Sequence, residues 1–132
     1  MRRSASVQHW SVPHFERLFD RSHDVKIRKH RFGKDESTSV IFVFSEGTCD
    51  VSAISKTVLP ALEQAYDANG GFRLREDGTL PVRLPLTPVD ADVTAEQMAE
   101  HLFEGNLLLA FPHIAPVFRM SIDKLPQRAP EE

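Results

Sequence analysis

One run constrains this chain more than any other: TSVIFVF, Thr38 to Phe44, which is β-branched and aromatic with no polar residue from Val40 onward. A strand with one wet face alternates in polarity. A run without alternation predicts a strand buried on both faces, at the centre of a sheet, and the rest of the chain must then supply its neighbours and its cover.

The neighbours can be read on either side. In DVKIRKHRFG, Val25 and Ile27 alternate with Lys26 and Arg28 until Gly33 ends the segment, which predicts a strand with one covered face. KDES turns the chain, so a hairpin joins this strand to the buried one. Beyond Gly105, LLLAF is a second short oily strand, PHIAP a turn, and VFRMSI an alternating strand in which Phe118, Met120 and Ile122 oppose Val117, Arg119 and Ser121.

The cover comes from helices. Pro13 suits a first helical turn, and Phe15, Leu18 and Phe19 lie at helical spacing in a segment ending near Ser22. After the central strand, Asp50 can cap a helix by accepting a bond from a first-turn amide, and Ile54, Val58, Leu62 and Ala65 continue one apolar stripe. Pro60 falls inside that stripe and predicts either two helices meeting at Leu59-Pro60 or one kinked helix, closed by Gly70-Gly71. TAEQMAEHLFEGN carries a capping-box pattern, Thr94 with Gln97 three residues on, and turns Met98, Leu102 and Phe103 inward. Between these helices, Arg73 to Asp92 holds three prolines and an Asp-Gly pair, which reads as a long connecting loop. The expected fold is α/β (α+β): one domain over residues 13–123, a mixed four-stranded sheet from two hairpins with helices packed on it. Residues 1–12 read as a flexible arm and 124–132 as the start of a linker.

Totals narrow the function classes. A chain of 132 residues is the size of one domain, and 41% hydrophobic with 27% charged residues is ordinary soluble usage. A net charge of −3 gives no overall reason to bind nucleic acid. With one cysteine there is no intrachain disulfide, which fits a reducing compartment, and no oily run has the length of a signal peptide core or a membrane span. The chain reads as soluble and cytosolic.

Catalytic chemistry finds little support. The stretch EGTCD after the central strand puts Cys49 near a helix start, where thiolate is favoured. A nucleophile needs a base, and none of His9, His14, His23, His30, His101 and His113 carries a family signature with it, so a small buried filler is the better account of the thiol. The histidines lack metal-ligand spacing, the carboxylates sit where helix caps explain them, and the glycines make no phosphate loop. No cofactor is expected. The densest charge is Lys26, Arg28, Lys29, Arg31 and Lys34, on what reads as an outer strand. Cations there deter strand addition, and they could alternatively contact an anionic membrane surface or an acidic protein.

Two segments go further. VIFVFSEGTCDVSAISKTVLPAL, Val40 to Leu62, resembles the early part of the A subunits of GerA-type spore germination receptors: a hydrophobic strand, a Glu/Asp-Gly-x-x-Asp turn, an amphipathic helix and a Leu-Pro-x-Leu-like continuation. LFEGNLLLAF followed by MSIDKLPQRAPEE resembles the second signature of that region, ending in a Pro-Gln-Arg-x-x-Glu-Glu tail. The likeness covers about Asp24 to Glu132, and the order of the two segments makes it specific. Thr48 and Cys49 stand where more apolar residues are expected, Leu125 where tryptophan is common, and FPHIAP lacks the glycine often found between the last two strands.

The resemblance implies a non-enzymatic soluble amino-terminal module of a germinant receptor A subunit, on the cytosolic side, with the full-length relative in the spore inner membrane. Implied partners are B- and C-type receptor subunits and further A-subunit regions. Glu46, Gly47, Asp50, Pro126, Gln127 and Arg128 become structural or docking positions, and Lys26, Arg28, Lys29 and Arg31 a candidate basic contact face. A small-molecule binding domain with a pocket near the Glu46 to Asp50 turn is the alternative, and a cysteine-dependent enzyme comes third.

Overall fold

The computed structural model describes residues 10–20, 24–33, 38–90, 92–111, 114 and 116–122. The elements, in chain order, are helix α1 (Val12–Leu18), strands β1 (Val25–Arg31) and β2 (Ser39–Ser45), a π-helical turn (Ile54–Val58), helix α2 (Leu59–Asn69), strand β3 (Thr87–Pro88), helix α3 (Ala95–Phe103), and strands β4 (Asn106–Ala110) and β5 (Phe118–Ser121).

All seven residues of β2 are buried, and it lies inside a sheet of order β1-β2-β4-β5-β3. The pairings β1–β2 and β4–β5 are the two expected hairpins. Two corrections apply. Every pairing is antiparallel, including β2 with β4, where Ile41 faces Ala110, so the sheet is not mixed. It also has five strands, not four, because Thr87 and Pro88 pair with Arg119 and Phe118 inside the stretch read as a loop. Two residues cannot display a strand period, and a proline is tolerated there because an edge strand can forgo a ladder donor.

Partners across an antiparallel pair share a face, so the register sorts the core into two halves. Val40, Phe42 and Phe44 join Leu107, Leu109, Phe118 and Met120 on one face, beneath the π turn and α2, which contribute Val58 and Leu62. Ile41 and Val43 join Leu108 and Ala110 on the other, beneath Phe15 and Phe19 from the first helical segment and Met98 and Leu102 of α3.

The helices hold for local reasons. The Ser11 hydroxyl accepts from the His14 amide at 3.2 Å and starts α1. Thr94 and Gln97 close the capping box with bonds of 3.1 and 3.0 Å. Phe103, expected inward, is 51% exposed, because one residue beyond Leu102 the helix has turned about 100° away from the Met98–Leu102 stripe. In the π turn the Leu59 amide donates to the Ile54 carbonyl, five residues back. This widened turn comes immediately before Pro60, where a regular α-turn would set the proline ring against the carbonyl four residues earlier. The chain therefore passes the proline without ending the helix, which runs to Gly70 in a left-handed conformation (φ 71°).

The stretch after α2 is the least expected part of the fold. Val82, Leu84 and Leu86 each donate an amide to the carbonyl two residues back, at 2.8 Å in all three cases. This ribbon of consecutive tight turns aims Leu80, Val82, Leu84 and Leu86 at the α2-side core and sets Pro81, Arg83 and Pro85 between them.

Candidate functional site

The Glu46 to Asp50 turn is where five segments converge. Cys49 and Thr48 close the end of β2 by donating their amides to the Ser45 carbonyl at 3.0 and 3.2 Å, and the Glu46 amide reaches the Asp24 carbonyl at 3.0 Å. The Asp50 amide donates to the Ile122 carbonyl, whose own amide binds the Gly105 carbonyl at 2.9 Å. One turn thus ties the start of β1 and the end of β2 to the end of β5 and the α3–β4 junction.

Thr48 and Cys49 complete this tie. Thr48 Oγ1 donates to the Leu102 carbonyl at 2.8 Å, in the last turn of α3, where the Gly105 amide also donates to that carbonyl at 3.0 Å. Cys49 is fully buried, and its Sγ donates to the Asn106 carbonyl at 3.7 Å, while Asn106 Nδ2 reaches back to the His101 carbonyl at 3.0 Å. The thiol is a packed donor at the junction, remote from solvent. Nothing in the residue types alone pointed to these contacts, since partners lie 54 and 57 positions away.

Asp50 acts as expected of a cap, accepting from the Ser52 amide at 3.2 Å and the Ser52 hydroxyl at 2.7 Å. Glu46 and Gly47 are exposed at the tip, with Glu46 Oε1 4.0 Å from Lys26 Nζ, both side chains about half exposed. Pro126, Gln127 and Arg128 lie outside the described residues, as does Lys34.

Strand alternation divides the basic run. Lys26 and Arg28 stand opposite Phe44 and Phe42 on the α2 face, with the Arg28 guanidinium 5.9 Å from the centre of the Phe44 ring. Lys29 and Arg31 stand opposite Ile41 and Ser39 on the α1 face. The four cations share an edge but divide between its two faces, although Arg28 and Lys29 both line the groove beside them. Beside Arg28 and His30 a groove of about 360 Å³ opens between β1 and the π turn, floored by Phe42 and Phe44 and walled by Val51 and Ile54. Val51 is 39% exposed, which leaves an apolar lip directly after the Asp50 cap.

Among the described residues no three His, Cys, Asp or Glu side chains gather as a metal site, and no helix is long and apolar enough to cross a membrane. A family model described as "Bacillus/Clostridium GerA spore germination protein" matches residues 13–132. No curated protein and no solved structure matches the chain.

Proposed function

The chain belongs to the GerA spore germination protein family, and from that premise we propose that it acts as a non-enzymatic module of a germinant receptor A subunit, organising receptor assembly and signalling through protein contacts. The observation that carries the proposal is the extent of the match, which spans both halves of the core, from α1 through β5. The family gives the chain a role in spore germination; the contact-based role is our reading of its surfaces.

The groove beside the Glu46 to Asp50 turn supports that reading. Its cationic rim, Arg28 with Lys29, and its apolar walls, Val51 and Ile54, fit an acidic segment with apolar anchors from a B- or C-type subunit or a further A-subunit region. The turn itself is held by backbone bonds, so the groove is presented on a fixed frame. The burial of Cys49 counts against the cysteine-dependent enzyme, because a nucleophile must meet its substrate. The domain would work on the cytosolic side of the spore inner membrane.

The test is co-purification of the A subunit with its B- and C-type partners, alongside the germination rate of spores carrying the variants. Arg28→Glu combined with Val51→Glu should lower subunit recovery and slow germination, whereas Cys49→Ala should leave the response to germinant in place. Full recovery and a normal rate for the double variant would remove the groove from receptor assembly.

A further inference from the structure

The groove between β1 and the π turn has its lip where the described chain ends. Phe42 and Phe44 floor it, Val51 and Ile54 wall it, and Arg28 is exposed at its rim with the guanidinium 5.9 Å from the centre of the Phe44 ring. Val51 follows Asp50, whose amide donates to the Ile122 carbonyl at 2.6 Å. Ile122 is the last described residue, so the chain passes out of the described region beside the apolar lip.

Of the segments outside the described residues, one has the composition that the groove calls for. Residues 1–9, MRRSASVQH, hold two arginines and no acid, and would set like charge against Arg28. Residues 34–37, KDES, have acids but no apolar side chain. Residues 123–132, DKLPQRAPEE, carry Leu125 as an apolar anchor and three acids against two bases, with Glu131 and Glu132 adjacent. Reach is ample: Leu125 stands three residues past Ile122, about 10 Å when extended, and all ten residues span up to roughly 33–36 Å. Pro126 and Pro130 reduce the conformations open to such a segment when unbound, which lowers the entropy lost on docking.

We propose that residues 123–132 dock in this groove within the same chain, with Leu125 on Phe44 and Ile54 and the Glu131-Glu132 pair against Arg28, so that a partner's acidic segment must displace them. The proposal rests on the reading of the groove as a docking surface and adds its regulation. A short tether holds its end at an effective concentration on the order of mM, so even a weak contact is occupied for much of the time. A partner then binds with an affinity reduced to the fraction of chains whose groove is open.

The experiment is an NMR measurement on the 132-residue chain with a nitroxide label placed through Ala129→Cys. Cys49 is fully buried and stays unlabelled, which the chain without the substitution checks. The amide signals of Arg28, Ile54 and Ser55 should lose intensity, while those of Ala95 to Gln97, at the start of α3 on the other face, should keep theirs. Leu125→Glu and Arg28→Glu should each restore the lost intensity. Adding Glu131→Arg and Glu132→Arg to Arg28→Glu should remove it again, an exchange that mere closeness of the tether would not produce. In the unlabelled chain, Leu125→Glu should shift the amides of Ile54 and Ser55. The proposal is overturned by undiminished groove signals, by a loss that persists in both single variants, or by a loss passed from labelled to unlabelled copies in a mixed sample, which would assign the groove to a second molecule. Undiminished groove signals together with poor subunit recovery for Arg28→Glu with Val51→Glu overturn this inference alone. Signal loss in the groove with full recovery overturns the partner reading and leaves the segment in its place.

Discussion

The two faces of the sheet are covered by different means. On one side two capped helical segments supply Phe15, Phe19, Met98 and Leu102; on the other a helix that widens into a π turn shares the task with an extended ribbon carrying Leu80, Val82, Leu84 and Leu86. Helices satisfy their own backbone and need only an apolar stripe. The ribbon satisfies its backbone by bonds two residues long, and between its amides it places prolines, which have no N–H to satisfy. A face can therefore be closed by chain that has neither helix nor ladder, provided that unpaired donors are few.

The comparison breaks most readily at its two fully buried leucines. Leu62 under α2 and Leu102 in α3 should each cost about 2–5 kcal/mol when cut to alanine, because both leave a cavity against the same sheet. Urea unfolding would measure this, and an unchanged m-value in both variants would make the faces one cooperative unit. A loss below about 1 kcal/mol in either would mean that its helix unfolds separately.

A smaller effect isolates the helical side. Thr94→Ala removes the capping hydroxyl of α3 and should lower stability by about 1 kcal/mol. Amide exchange should quicken most in the first turn of α3 and leave Val82, Leu84 and Leu86 unaffected. Equal acceleration in the ribbon would show that the two covers open together.

The smallest effect concerns the turn that leads into the ribbon. The Asp77 carboxylate accepts from the Thr79 hydroxyl at 2.7 Å and the Thr79 amide at 3.1 Å, and these bonds, with Arg75 nearby, hold its pKa below the ordinary 3.8. A lowered carboxylate pKa means that the contribution is present above the ordinary value and is lost as pH falls through the lowered one. The Thr79 amide resonance should titrate with a midpoint below 3.8, and Asp77→Asn should abolish that titration. A midpoint at or above the ordinary value would mean that the turn does not order the carboxylate in solution.

What the sequence disclosed follows from the same contrast. β2 and α3 were legible because burial on both faces and a capping box are local patterns. The placement of the basic run on an outer strand was legible too, although its division between two faces needed the register. The ribbon was hidden by its prolines: LPVRLPL alternates as a half-buried strand does, yet Pro81 and Pro85 mark it as a connection. At the site, Asp50 could be assigned as a cap from its position. The roles of Thr48 and Cys49 could not, because each depends on a carbonyl brought near only by the completed fold.

The sheet's two edges are unequal, and this sets a limit on how copies of the domain can join. One edge is β1, seven residues long and bearing alternating cations; the other is β3, two residues long and ending in a proline. Head-to-tail growth of stacked sheets into a fibril requires a competent acceptor at both ends of every unit. Here the proline edge cannot extend a ladder, so any strand added at β1 closes the series at the next molecule, and two copies meeting through β1 would bring like charges together. The domain can be crowded against identical neighbours without templating a filament.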